Sequence, residues 1–192
     1  MTRDELRKYA EENNVPIMMD DGIAFLVSFV RDNPIKDILE LGTAIGYSSM
    51  QMASIREDIH VDTLEIDPNM AAQARINIAE AGLSERITVH ETDAMVYETG
   101  RMYDLIFVDA AKAQYGRYMA HFEKNLKVGG WFVFDNLNFH GMVDDHSLTH
   151  NRNTLGMVKK LGAFRDALLE NDDYEVTFFR ETGDGVAIAK KK

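Results

Sequence analysis

An α/β protein built on a doubly wound, mostly parallel sheet is the fold class this sequence predicts, and three observations predict it. Short apolar runs alternate with helix-patterned segments from Ile38 onward. Parallel strands need such crossovers, and these are overwhelmingly right-handed. A glycine-punctuated turn, Gly42-Thr43-Ala44-Ile45-Gly46, separates the first strand-like run from the helix after it. In the last third the rhythm changes to two strand-like runs in succession, which predicts an antiparallel closing strand.

In chain order, Arg3 to Asn13 reads as a polar-rich helix, interrupted by Val15-Pro16. Asp20 to Val30 resumes with Ile23, Leu26, Val27 and Val30 at helical spacing, and Pro34 stops it. Ile38 to Leu41 is a strand, Tyr47 to Ile55 a helix and Val61 to Ile66 a strand. Pro68 to Ala81 is a helix with proline in its first turn and Gly82 at its end. Ile87 to His90 and Tyr103 to Val108 are strands, Ala113 to Asn125 a helix and Gly130 to Phe134 a strand. His140 to Asn151 is a polar loop and Asn153 to Leu169 a helix. Tyr174 to Phe179 and Gly185 to Ala189 form a hairpin or a pair of edge strands joined through Glu181 to Asp184, with Lys190 to Lys192 as a solvated tail. These seven strands describe a Rossmann-like sheet. Residues 1–192 make one domain, with 1–33 as an N-terminal helical extension.

The 192 residues fit one core, since a domain takes roughly 100–200. Cysteine is absent, which excludes disulfides, thiol catalysis and thiolate-bound zinc or iron–sulfur centres. No apolar run approaches the roughly 18–20 residues of a membrane span, and the N-terminus lacks a signal-peptide pattern, so a cytoplasmic protein is expected. The net charge of -11 argues against indiscriminate nucleic-acid binding. It is uneven, however: residues 1–111 carry -12, residues 112–165 carry +4 and the remainder -3.

The segment Leu39 to Ser48 ends an apolar strand in a tight turn and opens a helix, presenting backbone N–H groups to a ligand at the carboxyl edge of the sheet. Gly42 and Gly46 stand four apart, which is neither the GxGxxG fingerprint nor a P-loop. Glu65, ending the second strand, stands where nucleotide-binding folds hold ribose hydroxyls. Asp67, before Pro68, reads as a helix cap. Thr92-Asp93-Ala94 follows the third strand, where the carboxylate serves either an adenine amino group or a cap.

Asp109 ends one strand and Asp135-Asn136 the next. Neighbouring strands lie about 4.8 Å apart, so three oxygen ligands can meet at one edge. Each carboxylate alone reads equally well as a cap. An oxygen-only set favours Mg²⁺, or Mn²⁺, over zinc. Lys112 reads as a solvated helix residue or, beside a dication that favours its neutral form, as a base for a hydroxyl proton. His140, His146 and His150 lack zinc spacing. Tyr115, Tyr118, Trp131, Phe134 and Phe139 divide between an aromatic wall and the core.

Together these residues resemble the class I S-adenosylmethionine-dependent methyltransferases, and within them the metal-dependent O-methyltransferases that include the catechol and caffeoyl-coenzyme A enzymes and bacterial relatives. The likeness covers nearly the whole chain. It implies that Glu40, Gly42 and Ser48 line the methionine end of the cofactor, with Met19 packed close by. Glu65 would hold the ribose, and Asp93 and Ala94 would meet the adenine. Asp109, Asp135 and Asn136 match the family's metal triad, with Asp109 also in the cofactor floor, and Lys112 completes its DxxK arrangement. Gly183-Asp184-Gly185 is a turn signal that matches the C-terminal GDG of bacterial members without making Asp184 catalytic. A homodimer follows from the resemblance alone.

Two acceptors stay open. A small vicinal diol such as a catechol can chelate Mg²⁺. The short bacterial relatives that methylate 5-hydroxyuridine at the tRNA wobble position resemble this chain in Val15-Pro16-Ile17-Met18-Met19 and around Asp135-Asn136…Gly141, and the sequence leans that way. Lys112, Arg117, Lys124, Lys127, Arg152, Lys159, Lys160 and Arg165 supply cations for an anticodon arm, whose unstacked loop base enters a pocket cheaply. A non-catalytic binding or scaffold protein is the third class. The complete Asp109, Lys112, Asp135 and Asn136 set argues against it.

Overall fold

The computed structural model describes residues 2–192. Two helices, α1 (Arg3–Glu12) and α2 (Asp20–Asp32), precede the sheet. Thr2 starts α1 through a reciprocal capping box with Glu5. Then follow β1 (Asp37–Leu41), α3 (Tyr47–Ala53), β2 (His60–Glu65), α4 (Pro68–Glu80), β3 (Ile87–Glu91), β4 (Tyr103–Val108), α5 (Tyr115–Phe122), β5 (Leu126–Phe134), α6 (Arg152–Leu169), β6 (Tyr174–Phe179) and β7 (Val186–Lys191).

The seven strands lie in the order β3-β2-β1-β4-β5-β7-β6. Pairings among the first five are parallel, and β7 runs antiparallel to both β5 and β6. Chain order reverses between β1 and β4, the switch point at which open sheets of this kind take their ligands.

Both faces are covered, so the central strands are apolar on both sides. Ile38, Leu105, Phe107 and Val133 pack with α1 to α4. Their neighbours Leu39, Ile106, Val108, Phe132 and Phe134 pack with α5 and α6. This is the two-residue alternation of strands applied to two cores.

Several elements differ from the sequence reading. The helix expected over Ala113 to Asn125 is α only over Tyr115–Phe122, with 3₁₀ turns at Lys112–Gln114 and Glu123–Asn125. Asn125 turns inward instead, donating its side-chain amide to the carbonyls of Thr99 and Arg101. The strand expected from Gly130 begins at Leu126, and its register against β4 shifts between Tyr103 and Leu105. The loop after His140 contains a 3₁₀ turn at His146–Leu148, capped by Asp145. β7 is interior, and β6 alone is the edge strand of that pair.

The lysine tail is corrected in part: Lys190 and Lys192 are exposed as expected, but the run is held to its neighbours. Lys190 pairs with Trp131 in the sheet and lies 5.4 Å above its ring. Lys191 donates to the carbonyl of Glu123 at 2.8 Å. The backbone N–H of Lys192 reaches the carbonyl of Asp173. A local run of like charges reads as solvated; the neighbouring strands that hold it lie far away in sequence. Among the described residues, no helix is long and apolar enough to cross a membrane.

Candidate active site

Backbone pairing continues one residue beyond the strands and places the functional carboxylates on the rim. Gly42 N–H donates to the carbonyl of Leu64, Asp109 N–H to Leu41 and Asp135 N–H to Val108. Above this rim opens a cavity of about 610 Å³, within the range of small-molecule sites. Met19, Gly42, Ser48, Glu65, Asp93, Ala94, Asp109, Lys112, Asp135 and Asn136 all line it. Of the expected site residues only Glu40 does not.

Gly42 shows why the first turn needs glycine. Its φ is +99°, and a Cβ would stand 2.2 Å from the carbonyl oxygen of Asp109. The missing side chain therefore lets β1 and β4 close up at the switch point. Glu65 is held from two directions: Ala44 N–H donates to Oε2 at 2.8 Å and Asp67 N–H to Oε1 at 2.9 Å. Asp67 itself caps α4 through Asn69 and Met70. Asp93 accepts from the N–H of Met95 at 2.8 Å and still faces the cavity, so its capping and site roles coexist.

Glu40 lies one layer behind the wall, fully buried. The hydroxyls of Ser48 and Thr63 each donate to it at 2.5 Å, and Thr43 meets Thr63 at 2.6 Å. Burial, augmented by the charge of Asp109, pushes the Glu40 carboxyl up to about 7 despite those donors. Glu40 reaches the cavity through Ser48.

On the opposite side Lys112 Nζ donates to Asp109 Oδ1. Asp135 is 2% exposed. Burial first, and then the charge of Asp109, holds its carboxyl above the usual range. Asn136 N–H donates to Asp135 Oδ1 at 2.8 Å, and the Tyr115 hydroxyl donates to the Asp135 carbonyl at 3.0 Å. Two carboxylates and one amide thus face one cavity. Among the described residues, no group of three or more His, Cys, Asp or Glu side chains is arranged to hold a metal ion.

Of the aromatic candidates, Tyr118 and Phe139 line the cavity. Tyr115 and Phe134 belong to the core, and Trp131 packs edge-on against Phe29. Sequence reasoning placed neither His140 nor Asp184 in the wall, yet both line it. The GDG turn itself was visible; its distance in sequence from Asp135 hid the contact. Several of the basic residues are already ion-paired. Lys124 pairs with Glu98, Lys127 with Asp37 and Asp104, and Arg165 with Asp144.

A switch-point cavity with a glycine turn, a carboxylate at the end of the second strand and an acidic far wall defines a class I methyltransferase architecture. A family model described as O-methyltransferase matches residues 2–192, and the chain belongs to that family of S-adenosylmethionine-dependent enzymes. A catechol O-methyltransferase of Niastella koreensis is 33% identical over 165 residues, covering 80% of this chain and 72% of the relative. A crystal structure from Staphylococcus aureus, provisionally named a caffeoyl-CoA O-methyltransferase, superposes with a TM-score of 0.95 at 37% identity, covering 100% of this chain and 93% of that one. An O-methyltransferase from Bacillus cereus, in complex with S-adenosylhomocysteine (SAH), gives 0.84 at 25% identity, covering 99% and 90%.

Proposed function

We propose that this chain transfers the methyl group of S-adenosylmethionine to a hydroxyl of a small, catechol-like acceptor. The observation that carries the reading is the single cavity in which the Gly42 turn, Glu65 and Asp93 face Asp109, Lys112, Asp135 and Asn136. Glu65, already oriented by two backbone donors, keeps lone pairs for the ribose hydroxyls. Asp93 and Ala94 take the adenine, and Gly42, Ser48 and Met19 surround the methionine portion. The acids in and behind this wall favour a cationic sulfonium over a neutral ligand. The similarity to the Niastella catechol enzyme supports the acceptor class.

Asp109, Asp135 and Asn136 would hold Mg²⁺ or Mn²⁺. The fit rests on the donor set: two carboxylates that repel each other, one of them buried, with an amide oxygen on the adjoining residue. Such an ion supplies Lewis acidity that lowers the pKa of a bound hydroxyl. Lys112 is the proton acceptor in this reading. The ammonium paired to Asp109 only donates, so the accepting species is the neutral amine, formed once that ammonium has given its own proton to solvent. The protein's larger contribution is alignment of sulfonium methyl and acceptor oxygen in one cavity.

The wobble 5-hydroxyuridine of tRNA is the second reading. Arg117, Arg152, Lys159 and Lys160, all exposed, are its phosphate-binding candidates. The ion pairing of Lys124, Lys127 and Arg165 speaks for the small acceptor. Homodimer formation belongs to the same proposal and is tested by analytical ultracentrifugation. To decide the acceptor, the protein is incubated with labelled S-adenosylmethionine and Mg²⁺, against a catechol panel and against tRNA lacking the modification. Label in catechols, lost on chelation with EDTA and restored by Mg²⁺, is expected. Label only in 5-methoxyuridine would overturn the main reading, and turnover indifferent to EDTA would remove the metal.

A further inference from the structure

The GDG turn lies between β6 and β7, and its contacts are with the first turn of α2 and the turn after β5. We infer that Asp184 is a positioning residue that holds the strained Asn136–His140 turn, and with it the acceptor side of the cavity. This rests on the function proposed above only for the identity of the acceptor.

The turn that leaves β5 is conformationally costly. Asn136, Phe139 and His140 have φ of 60°, 43° and 55°, in the left-handed region that side-chain-bearing residues avoid. Three such residues within five persist only where the surroundings over-determine them. Asn136 N–H is held by Asp135 Oδ1 and Phe139 N–H by the Asn136 carbonyl, whereas His140 and the two residues between are held from the GDG turn. Both oxygens of Asp184 accept the N–H of His140, at 2.8 and 2.9 Å. The Asp184 carbonyl accepts from Asn138 N–H, and the Gly185 carbonyl accepts from Leu137 N–H. Asn138 also donates its side-chain amide to the carbonyl of Arg180 at 2.7 Å.

The same turn is anchored on its other side. Gly183 N–H donates to Asp21 Oδ2 at 2.8 Å, and Gly183 lies against Gly22 in the first turn of α2. Asp184 is 8% exposed and lines the cavity that Asn136, Phe139 and His140 also line. The restraint therefore passes from α2 through the β6–β7 turn to the acceptor wall. Without the carboxylate, the His140 N–H loses its partner, and the left-handed run keeps only the backbone bonds of Leu137 and Asn138 to the GDG turn. Asn136 and Phe139 then drift, while the Gly42 turn, Glu65 and Asp93 are untouched.

Amide hydrogen exchange at His140, SAH calorimetry and catechol turnover test this in the intact chain. Asp184→Ala should speed His140 exchange by roughly tenfold or more. It should lower kcat by about 10- to 10²-fold and raise the acceptor KM, with SAH affinity within about threefold. Asp184→Asn keeps one acceptor oxygen and should fall between wild type and Ala in all three. Unchanged His140 exchange in Asp184→Ala overturns the inference, as does SAH affinity falling in step with turnover. If the Ala variant does not fold, the Asn variant decides: faster His140 exchange supports the role, and wild-type exchange refutes it. A wild-type enzyme inactive on every catechol defeats the acceptor reading alone, because the exchange measurement does not depend on it.

Discussion

The two walls of the cavity are built by different means. The wall proposed for the cofactor consists of strand ends and the turns that immediately follow them, with Glu65 held by Ala44 and Asp67 and Asp93 by Met95. The wall proposed for the acceptor hangs on a turn with three left-handed non-glycine residues, one of them held by a carboxylate 44 positions away. A wall made of regular strand ends is rigid by default. A wall made of a strained turn is rigid only while its clamp holds, and it can be reshaped for a new acceptor without disturbing cofactor binding.

Substitutions on the two sides should separate accordingly. The largest effect is expected from Asp135→Ala, which should lower Mg²⁺-dependent turnover by about 10³-fold or more while SAH calorimetry stays within about threefold. Parallel loss of SAH binding would erase the distinction between the walls. Gly42→Ala should do the reverse of a local change: its Cβ meets the Asp109 carbonyl, so it damages both sides. Urea unfolding should report a loss of roughly 2–4 kcal/mol, accompanied by weakened SAH binding.

Glu65→Ala should weaken SAH binding by roughly 10- to 10²-fold, the worth of one or two charge-assisted hydrogen bonds. A change below about threefold would take the ribose away from this residue. The smallest effect concerns Glu40, whose carboxyl is raised to about 7 by burial. A raised carboxyl binds its proton more tightly folded than unfolded. Its stabilisation is complete below the unfolded value of about 4.3 and is lost as pH rises through 7. Glu40→Gln, which does not ionise, should therefore gain on wild type between pH 5 and pH 8 by on the order of 1 kcal/mol. Urea unfolding at the two pH values measures it; an unchanged difference would mean that Glu40 ionises freely.

Much of the cofactor side was legible because its information is local. Gly42 and Gly46, Glu65 at a strand end and Asp67 before Pro68 each announce their place within a few residues. The meeting of Asp109, Asp135 and Asn136 at one rim was legible one step further out, since adjacent parallel strands bring their carboxyl ends together. Glu40 was harder: sequence places it at the strand end, and only packing shows Ser48 between it and the ligand space. The basic middle of the chain was legible only as a count. Composition counts charges, whereas the fold had already paired Lys124, Lys127 and Arg165 with acids from elsewhere in the sequence.

By itself the sequence determined the doubly wound sheet, the switch-point turn and the strand-end carboxylates, because two-residue and helical periodicities and turn chemistry act over short stretches. Tertiary structure alone decided that β7 inserts between β5 and β6, that Lys190 and Lys191 belong to a strand, and that Asp184 grips the turn after Asp135. Those contacts join segments tens of residues apart. Their partners are chosen by which strands pair, and no local pattern in the chain records that choice.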